Sequence, residues 1–120
     1  YVGNIPYETL SAHYAAADLG IFASSCENMP NILLETMASG LPVACSNKGP
    51  MPEVLGDAGL YFDPESPVEI ASAIRQYLDS TELRAAHALA SYQRAKQYSW
   101  ARCANETFGF LAAMAKKRNN

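Results

Sequence analysis

The chain has 120 residues, the size of one small domain. Nine lysines and arginines face twelve aspartates and glutamates, a formal net charge of −3, so binding of nucleic acid or another polyanion by bulk charge is not expected. The three separated cysteines, Cys26, Cys45 and Cys103, fit neither a disulfide framework nor a Cys-x-x-Cys metal site and are expected to be reduced and mostly buried, and no apolar run reaches the roughly 18 residues of a membrane span.

In chain order, Tyr1-Val2-Gly3 reads as the end of a strand and Asn4-Ile5-Pro6 as a loop. Residues 7–17 are rich in alanine and carry Leu10 and Tyr14 at spacing four, which predicts a helix. LGIFAS, residues 19–24, is a short apolar run that suits a strand buried on both faces. After the loop SSCEN, the segment PNILLETMAS predicts a helix, with Gly40 and Pro42 as its stop. LPVACS, residues 41–46, is a second buried-strand candidate. A loop with a helical turn around Glu53–Leu55 follows, then a brief strand at Leu60-Tyr61-Phe62. Ser66-Pro67-Val68-Glu69 is a helix-start signature, and that helix should run to about Leu78. Asp79 or Ser80 caps the next helix, which reaches about Gln97. Ser99 caps the last one, which ends in the basic run Lys116-Lys117-Arg118, read as a solvated helix end.

Short apolar strands alternating with helices predict an α/β fold with a Rossmann-like parallel sheet and helices on both faces. A complete doubly wound domain has more strands than these, so earlier strands are expected to lie upstream in a larger protein.

The stretch ENMPNILLE, Glu27 to Glu35, carries the chemistry. It follows a strand, where open parallel sheets bind their ligands, and it opens a helix. The first turn of a helix has free N–H groups and a partial positive charge, which suits a phosphate. Asn28 can cap, Pro30 fits the first turn, and Asn31 adds an amide. Carboxylates repel phosphate but accept hydrogen bonds from paired sugar hydroxyls. At about 1.5 Å per helical residue, Glu35 would lie roughly 6 to 8 Å beyond Glu27 along the axis. A sugar, a diphosphate and a second sugar in a row match that layout, as in a nucleotide sugar. Spacing alone leaves open the plainer reading of two solvated glutamates.

The wider context resembles the C-terminal domain of the retaining glycosyltransferases of family 4, or group 1, which have the GT-B architecture of two Rossmann-like domains around a cleft. The resemblance rests on Ser24 or Ser25, Glu27, Glu35 and Ala38-Ser39-Gly40-Leu41-Pro42-Val43, and continues through the proline-rich loop before Glu53-Val54 to Ala58-Gly59-Leu60. It implies that residues 1–120 are part of the nucleotide-sugar-binding domain of a larger two-domain enzyme. Glu27 would contact the donor sugar near the reacting centre, and Glu35 the ribose hydroxyls. Asn28, Met29, Pro30 and Asn31 would line the sugar and diphosphate through backbone groups, with Ile32 close by, and Ile5 would pack against the nucleobase. Many relatives have a glycine and an aromatic where this chain has Asn28-Met29, which bears on donor preference. The family's basic phosphate ligands lie upstream of this segment, and Lys48, the nearest basic candidate, reads as a solvated loop lysine.

The implied reaction transfers a sugar from a UDP- or GDP-sugar to an acceptor hydroxyl with retention, with no metal or other cofactor. The segment alone is expected to be inactive, because the acceptor-binding N-terminal domain is absent from it. It is expected to be cytoplasmic, with the parent membrane-associated in cell-surface glycan assembly. Trp100, Phe108 and Phe110 are expected to pack on the sheet or a partner domain. Without that domain, Phe108, Leu111 and Met114 would be exposed or covered by a second copy, and the open sheet edge also invites a homodimer. Two rivals stand beside this reading: a non-catalytic interaction domain of the same fold, and a GT-B nucleotide-sugar epimerase. The epimerase needs further acids or histidines, and His13 and His87 both read as packed or surface residues instead.

Overall fold

Three short strands pair side by side in chain order, all parallel, in a computed structural model that describes residues 1–118. They are β1 (Gly20–Phe22), β2 (Val43–Ser46) and β3 (Gly59–Phe62). Helices fill the connections: α1 (Tyr7–Ala15) precedes β1, α2 (Asn31–Ala38) joins β1 to β2, and α3 (Met51–Leu55) joins β2 to β3. Then come α4 (Pro67–Asp79), α5 (Thr81–Ala95) and α6 (Trp100–Arg118).

The register sorts the core by alternation. Gly20 pairs with Val43, Phe22 with Cys45, and Cys45 with Tyr61, so these residues share one face. On that face Val43 and Cys45 meet Leu33 and Met37 of α2, Met51, Val54 and Leu55 of α3, and Ala95 of α5. On the other face Ala44 and Phe62 meet Ala73 and Tyr77 of α4. Each fully buried side chain of the Leu, Val, Phe or Met type contributes about 1.5–3 kcal/mol relative to exposure. β2 is buried along its whole length, as expected of a central strand.

Polar anchors tie the helices down. Ser66 accepts a hydrogen bond from Glu69 N–H at 3.3 Å to start α4, and Ser80 accepts from Leu83 N–H at 3.1 Å to start α5. Ser99 accepts from Arg102 N–H at 3.1 Å and starts α6. Ser91 Oγ of α5 donates to Leu41 O just ahead of β2 at 2.8 Å. Arg94 donates to Val54 O and Glu53 O, each at 2.6 Å, and so caps the carbonyl end of α3.

Several expectations need correction. Tyr1–Gly3 forms no strand, because no strand lies beside it to bond to among the described residues. β1 is not buried on both faces. Ile21 is 39% exposed, because it faces the α4 side at the sheet edge, where α4 covers β3 and β2 instead. Cys26 and Cys103 are exposed and only Cys45 is buried, since the first two lie on a loop and on α6, off the sheet. α6 buries no residue, so Trp100, Phe108 and Phe110 do not pack on the sheet.

Candidate functional site

β1 ends at Phe22 and the chain turns through residues 23–30 into α2. Proline at position 30 keeps Met29 out of helical conformation and lacks an N–H. The helix begins one residue later than expected, at Asn31, because Pro30 itself has a non-helical ψ of 76° and serves as the cap residue. The expected Asn28 cap does not form, and no side chain caps the helix. Asn31 N–H donates to Met29 O at 2.9 Å, and Leu34 N–H to Pro30 O at 3.1 Å. Among the described residues, the N–H groups of Ile32 and Leu33 have no acceptor, and the first turn holds no acidic side chain. The field of this helix end is thus left open to an anion.

Close packing sets where that helix end lies. A side chain at position 20 would collide with Thr36 Cγ2, so β1 and α2 approach as only glycine permits. At its other end α2 stops at Gly40, whose φ of +73° is the left-handed conformation of a helix terminus. Thr36 Oγ1 donates back to Ile32 O at 2.7 Å.

The two glutamates differ in setting. Glu27 is half-buried in the loop, with its carbonyl oxygen against Gly49 of the β2–α3 connection. Glu35 is half-buried on α2, and its Oε2 lies 3.4 Å from the Tyr14 hydroxyl of α1, which donates to it. Neither carboxylate forms an ion pair among the described residues. Burial, first, raises the Tyr14 hydroxyl's pKa, the Thr36 side chain acts in the opposite sense, and the Glu35 charge adds to the rise. Asn28, Met29, Asn31 and Ile32 are exposed around the helix start, whereas Pro30 is buried and its carbonyl is engaged by Leu34. Ile5 is half-buried in the loop before α1.

A cavity of about 510 Å³ lies between the flank of α2 and the α5–α6 junction. Met29 from the preceding loop and Asn31, Leu34 and Glu35 from α2 line it on one side, and Tyr98 and Trp100 on the other. The structure thus brings Met29, Asn31 and Glu35 to one cavity, and leaves Glu27, Asn28, Ile32 and Ile5 outside its lining. Lys48 pairs with Asp63 across 3.6 Å, both partly exposed, as a solvated loop lysine does. His13 is exposed on α1. His87 packs edge-on against Tyr77, away from the helix start. Among the described residues no three His, Cys, Asp or Glu side chains gather as metal ligands would. The cavity wall from Tyr98 and Trp100 and the contact of Tyr14 with Glu35 were not foreseen from the sequence. Spacing offers no signal for groups that meet only in tertiary packing.

Comparison with known proteins adds an independent line. The family described as "Glycosyl transferases group 1" matches residues 1–80. The chain is 39% identical over 107 residues to the O-antigen chain mannosyltransferase B of Escherichia coli, covering 89% of this chain and 28% of that protein. It is 34% identical over 103 residues to a D-inositol 3-phosphate glycosyltransferase of Corynebacterium aurimucosum, covering 84% of this chain and 24% of the relative. In fold it is similar to sucrose-phosphate synthase from Thermosynechococcus elongatus, with a TM-score of 0.82 at 24% identity over 97% of this chain and 30% of that one. The chain therefore spans about a quarter of the length of these curated relatives.

Proposed function

The chain belongs to the group 1 glycosyl transferases, and from that membership we propose that it is the donor-binding part of a larger two-domain enzyme. The enzyme transfers a sugar from a UDP- or GDP-sugar to an acceptor hydroxyl with retention at the anomeric carbon. The observation that carries the reading is the uncapped start of α2, with Glu27 just before it and Glu35 one turn inside it.

In this reading the free N–H group of Ile32, at the exposed start of the helix, meets the diphosphate. As the glycosidic bond breaks, negative charge grows on the leaving diphosphate and positive charge on the sugar ring. Fixed donors aimed at the growing negative charge lower the barrier without reorganising. Glu27 accepts hydrogen bonds from the sugar hydroxyls and supports the positive ring. Glu35 accepts from the ribose diol, with Met29 and Asn31 beside it. Asn28 and Ile32 complete the rim, Pro30 holds the turn, and Ile5 meets the base. The reaction needs no metal in this scheme. The O-antigen relative points to a growing surface glycan as the acceptor and to mannose as a donor sugar to test first. The work would be done at the cytoplasmic side, where the segment by itself is inactive.

A panel of UDP- and GDP-sugars, assayed for turnover on the full-length protein, tests this. One donor should turn over, and Glu27→Ala and Glu35→Ala should each lower kcat/KM by about 100-fold or more, the scale of a lost charge-assisted contact in a closed site. Variants that match wild type would leave a non-catalytic domain as the better reading. Solvent hydrogen exchanging into the donor ring would point to the epimerase.

A further inference from the structure

We propose that Tyr14 is a positioning residue for Glu35, holding one carboxylate oxygen so that the other is turned toward the paired hydroxyls of a ribose. The inference rests on the reading of Glu35 as the ribose acceptor. It assigns a role on a different element, since Tyr14 belongs to α1 and lies 21 residues earlier in the chain.

Glu35 has a long side chain and lines a cavity. Left alone it would sample many rotamers, and a diol would have to select one. The candidates for restraining it are few. Thr36 Oγ1 donates to Ile32 O at 2.7 Å and lies beside the Tyr14 hydroxyl, and Ser39 Oγ donates to the Glu35 backbone carbonyl at 2.8 Å. Among the described residues the Tyr14 hydroxyl is the side-chain donor that reaches the Glu35 carboxylate, at Oε2. The polarity is right, because an ionised carboxylate only accepts and a phenol can donate.

The separation of 3.4 Å is long for an O–H···O bond. Functional hydrogen bonds are often slack without ligand and tighten when it arrives. Here the tightening has a direct cause: a diol on Oε1 fixes the carboxylate plane and brings Oε2 to the phenol. The hydroxyl is the group that matters. A phenylalanine at position 14 keeps the ring packing and removes only the donor.

The test uses UDP and GDP, each beside its 2′-deoxy analogue, titrated calorimetrically into the full-length protein. Wild type should prefer the ribonucleotide by about 10- to 100-fold, the worth of hydrogen bonds to a charged group. Glu35→Gln should abolish most of that preference. Tyr14→Phe should cut it to about threefold, and adding Tyr14→Phe to Glu35→Gln should cost nothing more. The ratio compares two ligands on one sample, so a variant that is partly unfolded still reports it. If Tyr14→Phe keeps the wild-type preference while Glu35→Gln loses it, the positioning role is overturned and the donor reading stands. If Glu35→Gln also keeps the preference, or neither nucleotide binds, the donor reading fails and this inference with it.

Discussion

The Tyr77 hydroxyl has one proton and two neighbours, Val43 O at 2.7 Å and His87 Nδ1 at 2.8 Å. The carbonyl can only accept, so Tyr77 donates to it and His87 donates from Nδ1 to the phenol oxygen. Burial lowers the pKa of His87 from its ordinary 6.5, with Asp57 acting in the opposite sense. The unfolded chain therefore takes up the proton first as pH falls. The stability that His87 contributes is full above about pH 6.5 and is lost as pH falls below it toward the folded value. His87→Gln should flatten the acid side of a stability profile measured by urea unfolding between about pH 7 and pH 5. An unchanged slope would assign that limb to other groups. The sequence left His87 as a packed or surface residue, without its partner. A tyrosine ten positions away on another helix is a neighbour only once α4 and α5 have folded back on each other.

At the scale of elements, the tightest junction is that of β1 with α2. Gly20→Ala should destabilise the fold by about 1–3 kcal/mol, because the new methyl collides with Thr36 Cγ2. Adding Thr36→Ser removes the methyl it meets and keeps the hydroxyl that bonds Ile32 O. That pair should regain much of the loss in a double-mutant cycle by chemical denaturation; simple additivity would show that the collision is not the cause. The element boundaries illustrate what local sequence reports. The starts of α4, α5 and α6 were legible because serine, proline and glutamate act within one turn. The start of α2 was misjudged because Pro30 is buried and acts as the cap residue, a choice made by packing and not by the cap preference of Asn28.

On the scale of the whole molecule, α6 presents an apolar surface that no other element covers among the described residues. Trp100 is 81% exposed, Phe108 70% and Leu111 53%, and Trp100, Phe108 and Leu111 lie along one side of the helix. Among the described residues β1 has no strand on its outer edge, and Ile21 is partly exposed. The 120-residue chain by itself should therefore self-associate in sedimentation velocity, and Phe108→Glu with Leu111→Glu should shift it toward monomer. A wild-type chain that stays monomeric at every loading concentration would refute this.

By itself the sequence determined the alternation of strands and helices, the α/β class, and the family motif with its two glutamates. Periodicity, caps and motif spacing act over a few residues and need no knowledge of neighbours. Only the tertiary structure decided which N–H groups at the start of α2 stay open, that Tyr14 reaches Glu35, and that Glu35 but not Glu27 borders the cavity. Those facts depend on how α1, α2 and the α5–α6 junction pack against one another. Contacts between residues far apart in the chain arise from the summed burial of many side chains, which no single stretch of sequence encodes.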